Sequence, residues 1–147
     1  MGESEAGKRL VAAAPGELPR QVVVLAADDT CMSQARRVAA DFLARARADH
    51  GLAVAEKTDD LTRLVVSELV TNAYKYVGGP VLMELSVVGG HIEVVVRDRG
   101  TDLPVARAAD AGRIGQHGLE IVMAVAQSVE ARREPGGKSI TVRLPLE

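Results

Sequence analysis

The order of apolar and polar positions along the chain predicts several short strands and amphipathic helices. Residues 21–25 form a short β-branched run that predicts a strand. Beyond it, small and apolar residues recur at every third and fourth position, which predicts a helix. The predicted helix face comprises Ala35, Val38, Ala39, Phe42, Leu43 and Ala46. We expect the side chains of Asp28, Asp29 and Thr30 to cap the start of this helix, and Gly51 to end it.

A second amphipathic helix is predicted to begin at Thr58 or Asp59 and to end before Gly78, Gly79 and Pro80. Its apolar stripe consists of Leu61, Val65, Leu69, Ala73 and Tyr76. A polar stripe lies at the edge of this face and consists of Glu68, Asn72 and Lys75. Because a buried polar group without a partner costs about 1–3 kcal/mol, this polar stripe predicts a pocket filled by a ligand, a metal or water, or else an ordinary solvated edge of the helix.

Strict alternation of apolar residues predicts two further strands, joined by a turn at Gly89 and Gly90. The inward positions are Val81, Met83, Leu85 and Val87 in the first strand, and Ile92, Val94 and Val96 in the second. Asp98 continues the same side, so the second strand is expected to end with a carboxylate on its buried face. Gly100 follows and allows the backbone to approach another group closely.

The remaining sequence predicts a loop over residues 101–117, an apolar helix over residues 119–126 and a closing hairpin. The strands of this hairpin are expected at residues 129–134 and 139–146, joined by a turn at residues 135–137. Hairpins therefore outnumber strand–helix–strand units. This order predicts an α+β fold, a two-layer sandwich whose mostly antiparallel mixed sheet carries helices on one face.

Length and composition predict one folded domain with an aliphatic core. The chain has 147 residues, of which 47% are apolar and only 2% aromatic. Residues 1–20 mix small and charged residues with two prolines, and we expect them to form a flexible tail. Residues 21–147 are then the domain itself.

The charge balance and the single cysteine exclude several classes of protein. A net charge of −2 argues against a direct nucleic-acid partner, which would favour a basic face. Because Cys31 is the single cysteine, the chain can have neither an internal disulfide nor a Cys-rich metal site. Its thiol is either activated by the nearby helix start or an inert small side chain. Without an apolar run that could span a bilayer or a signal sequence, we expect a cytoplasmic protein with no membrane partner.

Three short motifs carry a resemblance to a known family. They read ELVTNA at residues 68–73, DRGTDLP at residues 98–104 and GQHGL at residues 115–119. In this order, the chain resembles the GHKL superfamily of ATP-binding domains, which includes gyrase, histidine kinases and MutL. More closely, it resembles the bacterial anti-sigma-factor serine/threonine kinases. The resemblance covers roughly residues 22–146 and implies the Bergerat-type ATP-binding fold.

The resemblance implies a role for each residue of the first two motifs. Asn72 would coordinate Mg²⁺ that bridges the phosphates of ATP, and Glu68 would act as the general base toward an acceptor hydroxyl. Asp98 would accept a hydrogen bond from the adenine amino group, and Gly100 would let the base pack against the backbone. Lys75 either adds positive charge near the phosphates or is an ordinary solvated side chain.

The third motif resembles the lid and the helix start that face the phosphates in this family. The resemblance implies that Gly115, His117, Gly118 and Leu119 belong to the nucleotide site. His117 stands where many relatives have Arg, and it is also compatible with an ordinary surface residue. Tyr76 likewise stands where many relatives have His.

Relatives of the gyrase type place a Thr where it supports the adenine-binding Asp. In this chain Lys138 occupies the position with the matching strand parity. Ser139 and Thr141 point the other way if Ile140 and its alternating neighbours face the core. We therefore predict no threonine partner for Asp98.

The resemblance implies a serine/threonine kinase and anti-sigma factor that uses Mg-ATP to phosphorylate an anti-anti-sigma (STAS-type) partner. It also implies a sigma factor as a second partner, and a possible homodimer. The alternative is a non-catalytic, nucleotide-dependent interaction protein that controls a transcription regulator. A histidine-kinase domain fits less well, because the chain has only three histidines and no helical hairpin to carry a phosphorylated one.

Overall fold

The computed structural model describes residues 18–77, 79–100 and 116–147, and these residues form one antiparallel sheet covered by helices. The elements are β1 Arg20–Leu25, α1 Cys31–His50, α2 Glu56–Tyr76, β2 Val81–Val88, β3 His91–Asp98, α3 Gln116–Val125, β4 Ser128–Glu134 and β5 Gly137–Pro145. The strand order is β1-β2-β3-β5-β4, and each neighbouring pair is antiparallel. The predicted α+β class is confirmed. Within the described ranges, no helix is long and apolar enough to cross a membrane.

The core lies between the helices and one face of the sheet. Helix α1 packs against α2 and over β1 and β2, whereas α2 packs over β3 and β5 and against α3. The inward strand positions are buried as the alternation predicts, and the largest fully buried side chains include Phe42, Leu43, Leu69, Met83, Leu85 and Ile92. Each such aliphatic or aromatic side chain contributes about 1.5–3 kcal/mol through burial, so the aliphatic composition is sufficient for a compact core.

The outward face of the sheet is covered by ion pairs. Glu84 of β2 accepts hydrogen bonds from Arg20 of β1 and Arg97 of β3, and Arg97 also reaches Glu134 of β4. These side chains are partly exposed, so each pair contributes little to the free energy of unfolding. The helices of the described part of the chain therefore cover one face, while charged side chains cover the other.

The start of α1 differs from the prediction, whereas its end agrees. The side chain of Thr30 makes no capping hydrogen bond, and Asp28 Oδ1 instead accepts hydrogen bonds from the backbone N–H and the hydroxyl of Thr30. Asp28 thus forms a turn before the helix instead of capping it. At the other end, Gly51 has a φ of 63° and its N–H bonds back to Arg47, as expected for a glycine that ends a helix.

The start of α2 lies earlier than predicted. Ala55 precedes the helix in an extended conformation, and Thr58 lies within the first turn instead of capping it. The Thr58 hydroxyl is buried and lies 3.0 Å from the carbonyl oxygens of both Pro145 and Leu146, which lie at the end of β5. A hydroxyl that the sequence indicated as a cap therefore ties the helix to the sheet.

Both hairpins turn at the predicted places, but the second turn is one residue shorter than predicted. Gly89 and Gly90 both have positive φ, 55° and 84°, which is the requirement of a type I′ turn. In the closing hairpin β5 begins at Gly137, two residues before the predicted position, because the turn involves only Pro135 and Gly136. The longer β5 places Lys138 directly opposite Asp98 in the ladder between β3 and β5.

Candidate functional site

Asp98 ends β3 with its carboxylate turned to the buried side, as the alternation predicts. Only 3% of its side chain is exposed. Its Oδ1 accepts hydrogen bonds from the backbone N–H of Gly100 and from Lys138 Nζ, both at 2.8 Å. Asp98 therefore lies in a preorganised, nearly dry position at one end of the sheet.

Lys138 is the residue of this site whose role the sequence did not reveal. Strand parity placed it on the same side as Asp98, but the ion pair depends on the register between β3 and β5. Only 7% of the Lys138 side chain is exposed, so the pair is shielded from water. Removing one partner of such a pair leaves an uncompensated buried charge, which costs about 3–5 kcal/mol.

Two glycines allow this end of the sheet to close around Asp98. A Cβ on Gly100 would lie 2.6 Å from Val77 Cγ2 and 2.7 Å from Lys138 Nζ. A Cβ on Gly137 would collide with the carbonyl oxygen of Asp98. At both positions a side chain would clash with neighbouring atoms of the protein, so the glycines are explained without a ligand. The expected packing of a base over Gly100 stays a prediction.

The contact between Gly100 and Val77 brings the C-terminal end of α2 beside Asp98. With a rise of about 1.5 Å per residue, Asn72 lies ~7.5 Å and Glu68 ~13.5 Å along the helix axis from Val77. Both side chains are half-buried, whereas Lys75 is exposed. Among the described residues, the side chains of Glu68 and Asn72 have no hydrogen-bond partner, so the half-buried part of the predicted polar stripe is available to a ligand.

The third motif is described only in part. Gly115 lies outside the described residues, and α3 begins at Gln116, so the backbones of His117 and Gly118 belong to its first turn. The side chain of Leu119 is 4% exposed and packs in the core, which leaves only its main-chain N–H for a role at the nucleotide. The first turn of a helix carries free N–H groups that favour anions, and the phosphate contact of this turn stays a prediction.

A cleft of about 290 Å³ opens near this end of the sheet. It is lined by Asp98, Gly137, Val24, Leu82 and Arg97, among others. Because Val24, Leu82 and Arg97 point to the outward face of the sheet, the cleft opens away from the polar stripe of α2. We therefore do not assign it to the nucleotide.

Metal binding at the polar stripe would depend on the nucleotide. The described residues contain no group of three or more His, Cys, Asp or Glu side chains that could hold a metal ion. Asn72 supplies one amide oxygen, and Mg²⁺ commonly takes one or two protein oxygens together with phosphates and water. The half-buried Asn72 fits that requirement.

The Cys31 thiol is buried in the core and does not belong to the site. Burial raises the pKa of Cys31, and the nearby carboxylate of Asp28 raises it further. The thiolate is the reactive form, so of the two readings left open by the sequence the structure supports the inert side chain.

The described sheet carries helices on one face, a buried aspartate at a strand end and a half-buried carboxylate–amide stripe on the neighbouring helix. This is the arrangement expected for the ATP-binding α/β sandwich that the motifs resemble. A family model described as the histidine kinase-like ATPase domain matches residues 25–144, and the chain belongs to this family. Family membership supports ATP binding and confirms the resemblance to the GHKL superfamily. No curated protein matches the chain.

Proposed function

We propose that the protein is a serine/threonine kinase that transfers the γ-phosphoryl group of Mg-ATP to an anti-anti-sigma protein of the STAS type. In this proposal it also binds a sigma factor and acts in the cytoplasm. The observation that carries the proposal is the pair Glu68 and Asn72, half-buried on α2 without a partner among the described residues. The family match supports the nucleotide, and the pair supports the chemistry.

The order of the groups along α2 fits a nucleotide that lies beside the helix. Asp98, next to the C-terminal end of α2, would hold the base through its amino group. Asn72 would hold Mg²⁺, which neutralises charge on the phosphates. Catalysis by such a site depends on positioning and electrostatic stabilisation.

Glu68 lies one helical turn before Asn72 and is the proposed general base. The hydroxyl oxygen of the acceptor Ser or Thr attacks the γ-phosphorus, and the bond from that phosphorus to the bridging oxygen of ADP breaks. The hydroxyl proton passes to the Glu68 carboxylate, and ADP leaves. No residue of the chain is modified in this step.

The proposed base is tested by Glu68→Gln, with Glu56→Gln as a control at an exposed position of the same helix. Mg-ATP affinity is measured by calorimetry, and phosphotransfer is measured with labelled ATP and a set of purified STAS-type proteins. We expect Glu68→Gln to keep ATP binding but to slow transfer about 10²–10⁴-fold, the usual contribution of a general base. Unchanged transfer in Glu68→Gln would exclude the assignment.

The alternative is a non-catalytic interaction protein whose partner surface depends on nucleotide. It is motivated by Tyr76 and His117, which stand where many relatives have His and Arg. ATP binding without phosphotransfer to any STAS-type protein would favour this alternative over the kinase.

A further inference from the structure

We propose that Lys138 reads the base of the bound nucleotide, by donating a hydrogen bond to the ring nitrogen that neighbours the amino group of adenine. This inference rests on the ATP binding in the proposed function, but not on phosphotransfer. Lys138 would then select the base of the nucleotide, in addition to forming its ion pair with Asp98.

The first argument is the number of N–H groups on Lys138. An ammonium group carries three donors, and Asp98 Oδ1 takes one of them. Within the described residues, Lys138 Nζ has no other hydrogen-bond acceptor, although Lys138 is only 6% exposed. Two N–H groups of Lys138 therefore have no acceptor among the described residues and can donate to an acceptor supplied by a ligand.

The second argument is that Asp98 retains capacity for a further hydrogen bond. A carboxylate offers about four lone-pair sites, and among the described residues Gly100 N–H and Lys138 Nζ occupy two of them, both on Oδ1. An amino group of the base can therefore be accepted without displacing Lys138. The ion pair and the base do not have to compete for the same position.

The third argument is the arrangement of the pair. The Asp98 acceptor and the Lys138 donor lie side by side, 2.8 Å apart. Adenine presents the complementary arrangement, because its amino donor lies between two ring-nitrogen acceptors, N1 and N7. A carboxylate alone satisfies only the amino group. The carboxylate and ammonium together satisfy the donor and one neighbouring acceptor.

Guanine and hypoxanthine present the opposite pattern on the N1 side of the ring, whereas their N7 is an acceptor as in adenine. A carbonyl oxygen replaces the amino group, so in the same pose it would face the Asp98 carboxylate and both oxygens would be left unpaired. A site built to bond a specific donor rejects an analogue that lacks it. Lys138 adds a second such requirement, which is an acceptor nitrogen beside the amino group.

The test compares ATP with 1-deaza-ATP and 7-deaza-ATP, in which N1 or N7 is replaced by carbon. Affinities are measured by calorimetry for the full chain, for Lys138→Met and for the control Lys57→Met, which changes an exposed lysine of α2. A hydrogen bond to a charged group corresponds to about 10-fold or more in affinity, so the wild type and the control should bind one of the analogues at least that much more weakly than ATP. In Lys138→Met all three nucleotides should bind within about twofold of one another.

Three outcomes overturn the proposal. Equal binding of all three nucleotides by the wild type excludes a contact to either ring nitrogen. Discrimination that persists in Lys138→Met assigns the contact to another group. Absence of ATP binding by the folded wild type refutes this inference and the proposed function together, whereas ATP binding without discrimination refutes only the role of Lys138.

A second measurement keeps the proposal testable if Lys138→Met does not fold. The chain has four lysines, and only Lys138 combines burial with an ion pair among those described, so its ammonium protons should exchange slowly with water. Nitrogen NMR of the lysine-labelled wild type should show this resonance shifting with ATP. It should shift less with the weaker-binding analogue at saturation, and an equal shift with all nucleotides would contradict the contact.

Discussion

Asp98 and Lys138 are directly opposed in the ladder between β3 and β5, and the residues around them are constrained by that pair. Gly100 has no side chain because the Lys138 ammonium and Val77 occupy the space next to its Cα. Gly137 has none because the Asp98 carbonyl lies there. The family resemblance explains Gly100 by a bound base. The packing of Val77 and Lys138 explains it without one.

Replacing Gly137 by alanine should destabilise the protein and weaken ATP binding. The added Cβ would meet the Asp98 carbonyl oxygen and lie 2.9 Å from Arg99 Cα, so the end of β5 must move away from β3. Overpacking of this kind costs about 1–3 kcal/mol in the free energy of unfolding. Thermal unfolding and calorimetry measure both effects.

The matched control is Gly79→Ala, because its added Cβ would have no neighbour among the described residues closer than Arg99 Cδ at 4.0 Å. This variant should unfold close to the wild type. If Gly137→Ala and Gly79→Ala unfolded at the same temperature, the close approach of β3 and β5 would not constrain position 137.

Helix α2 contacts the sheet at both of its ends. Its C-terminal end packs near the end of β3, and its first turn packs near the end of β5. Its C-terminal end meets the strand end at Asp98 through Val77 and Gly100. Its first turn is tied to the end of β5 by the Thr58 hydroxyl and by the backbone N–H of Ala55. The helix that carries Glu68 and Asn72 is therefore fixed at both ends relative to the sheet.

Replacing Thr58 by valine should lower the free energy of unfolding by about 1–3 kcal/mol, because the change keeps the shape but removes a buried hydroxyl donor from two carbonyl oxygens. Denaturant unfolding measures the loss. Thr141→Val is the control, since Thr141 lies on the outward face of β5 and its hydroxyl has no hydrogen bond among the described residues. Equal destabilisation by both changes would mean that the contact between α2 and β5 contributes nothing specific.

The described helices and sheet share a single core, and Cys31 lies within it. The aliphatic composition is consistent with such a core, because β-branched and small residues pack closely between one helix layer and one sheet. A probe of Cys31 therefore reports on the integrity of the whole described fold.

The Cys31 thiol should react slowly with a disulfide reagent in the native protein and rapidly once the protein is unfolded. Burial raises its pKa, and the thiolate is the reactive form, so the native reaction should remain slow until the pH exceeds the ordinary range of a cysteine thiol. Labelling rates across a denaturant series should follow the global unfolding measured by circular dichroism. Rapid labelling in water at neutral pH would show that the core opens locally around α1.

The sequence alone determined the elements and the inward direction of Asp98. Periods of 3.6 and 2 are local properties, so they placed both long helices, the hairpin at Gly89 and the aspartate at the strand end. Motif order also predicted the superfamily that the family match confirms. The predicted start of β5 is two residues late. Gly137 is a residue type typical of turns, but it belongs to the strand because it pairs with Glu134 of β4.

Only the tertiary structure decided which groups meet. The Asp98–Lys138 pair spans forty residues of sequence, and the Thr58 contact spans eighty-seven or more. Such contacts depend on strand register and on the seating of α2 against β5, neither of which leaves a local periodic signal. For that reason the sequence predicted only a carboxylate on the buried face, and the packed fold decided that a lysine pairs with it.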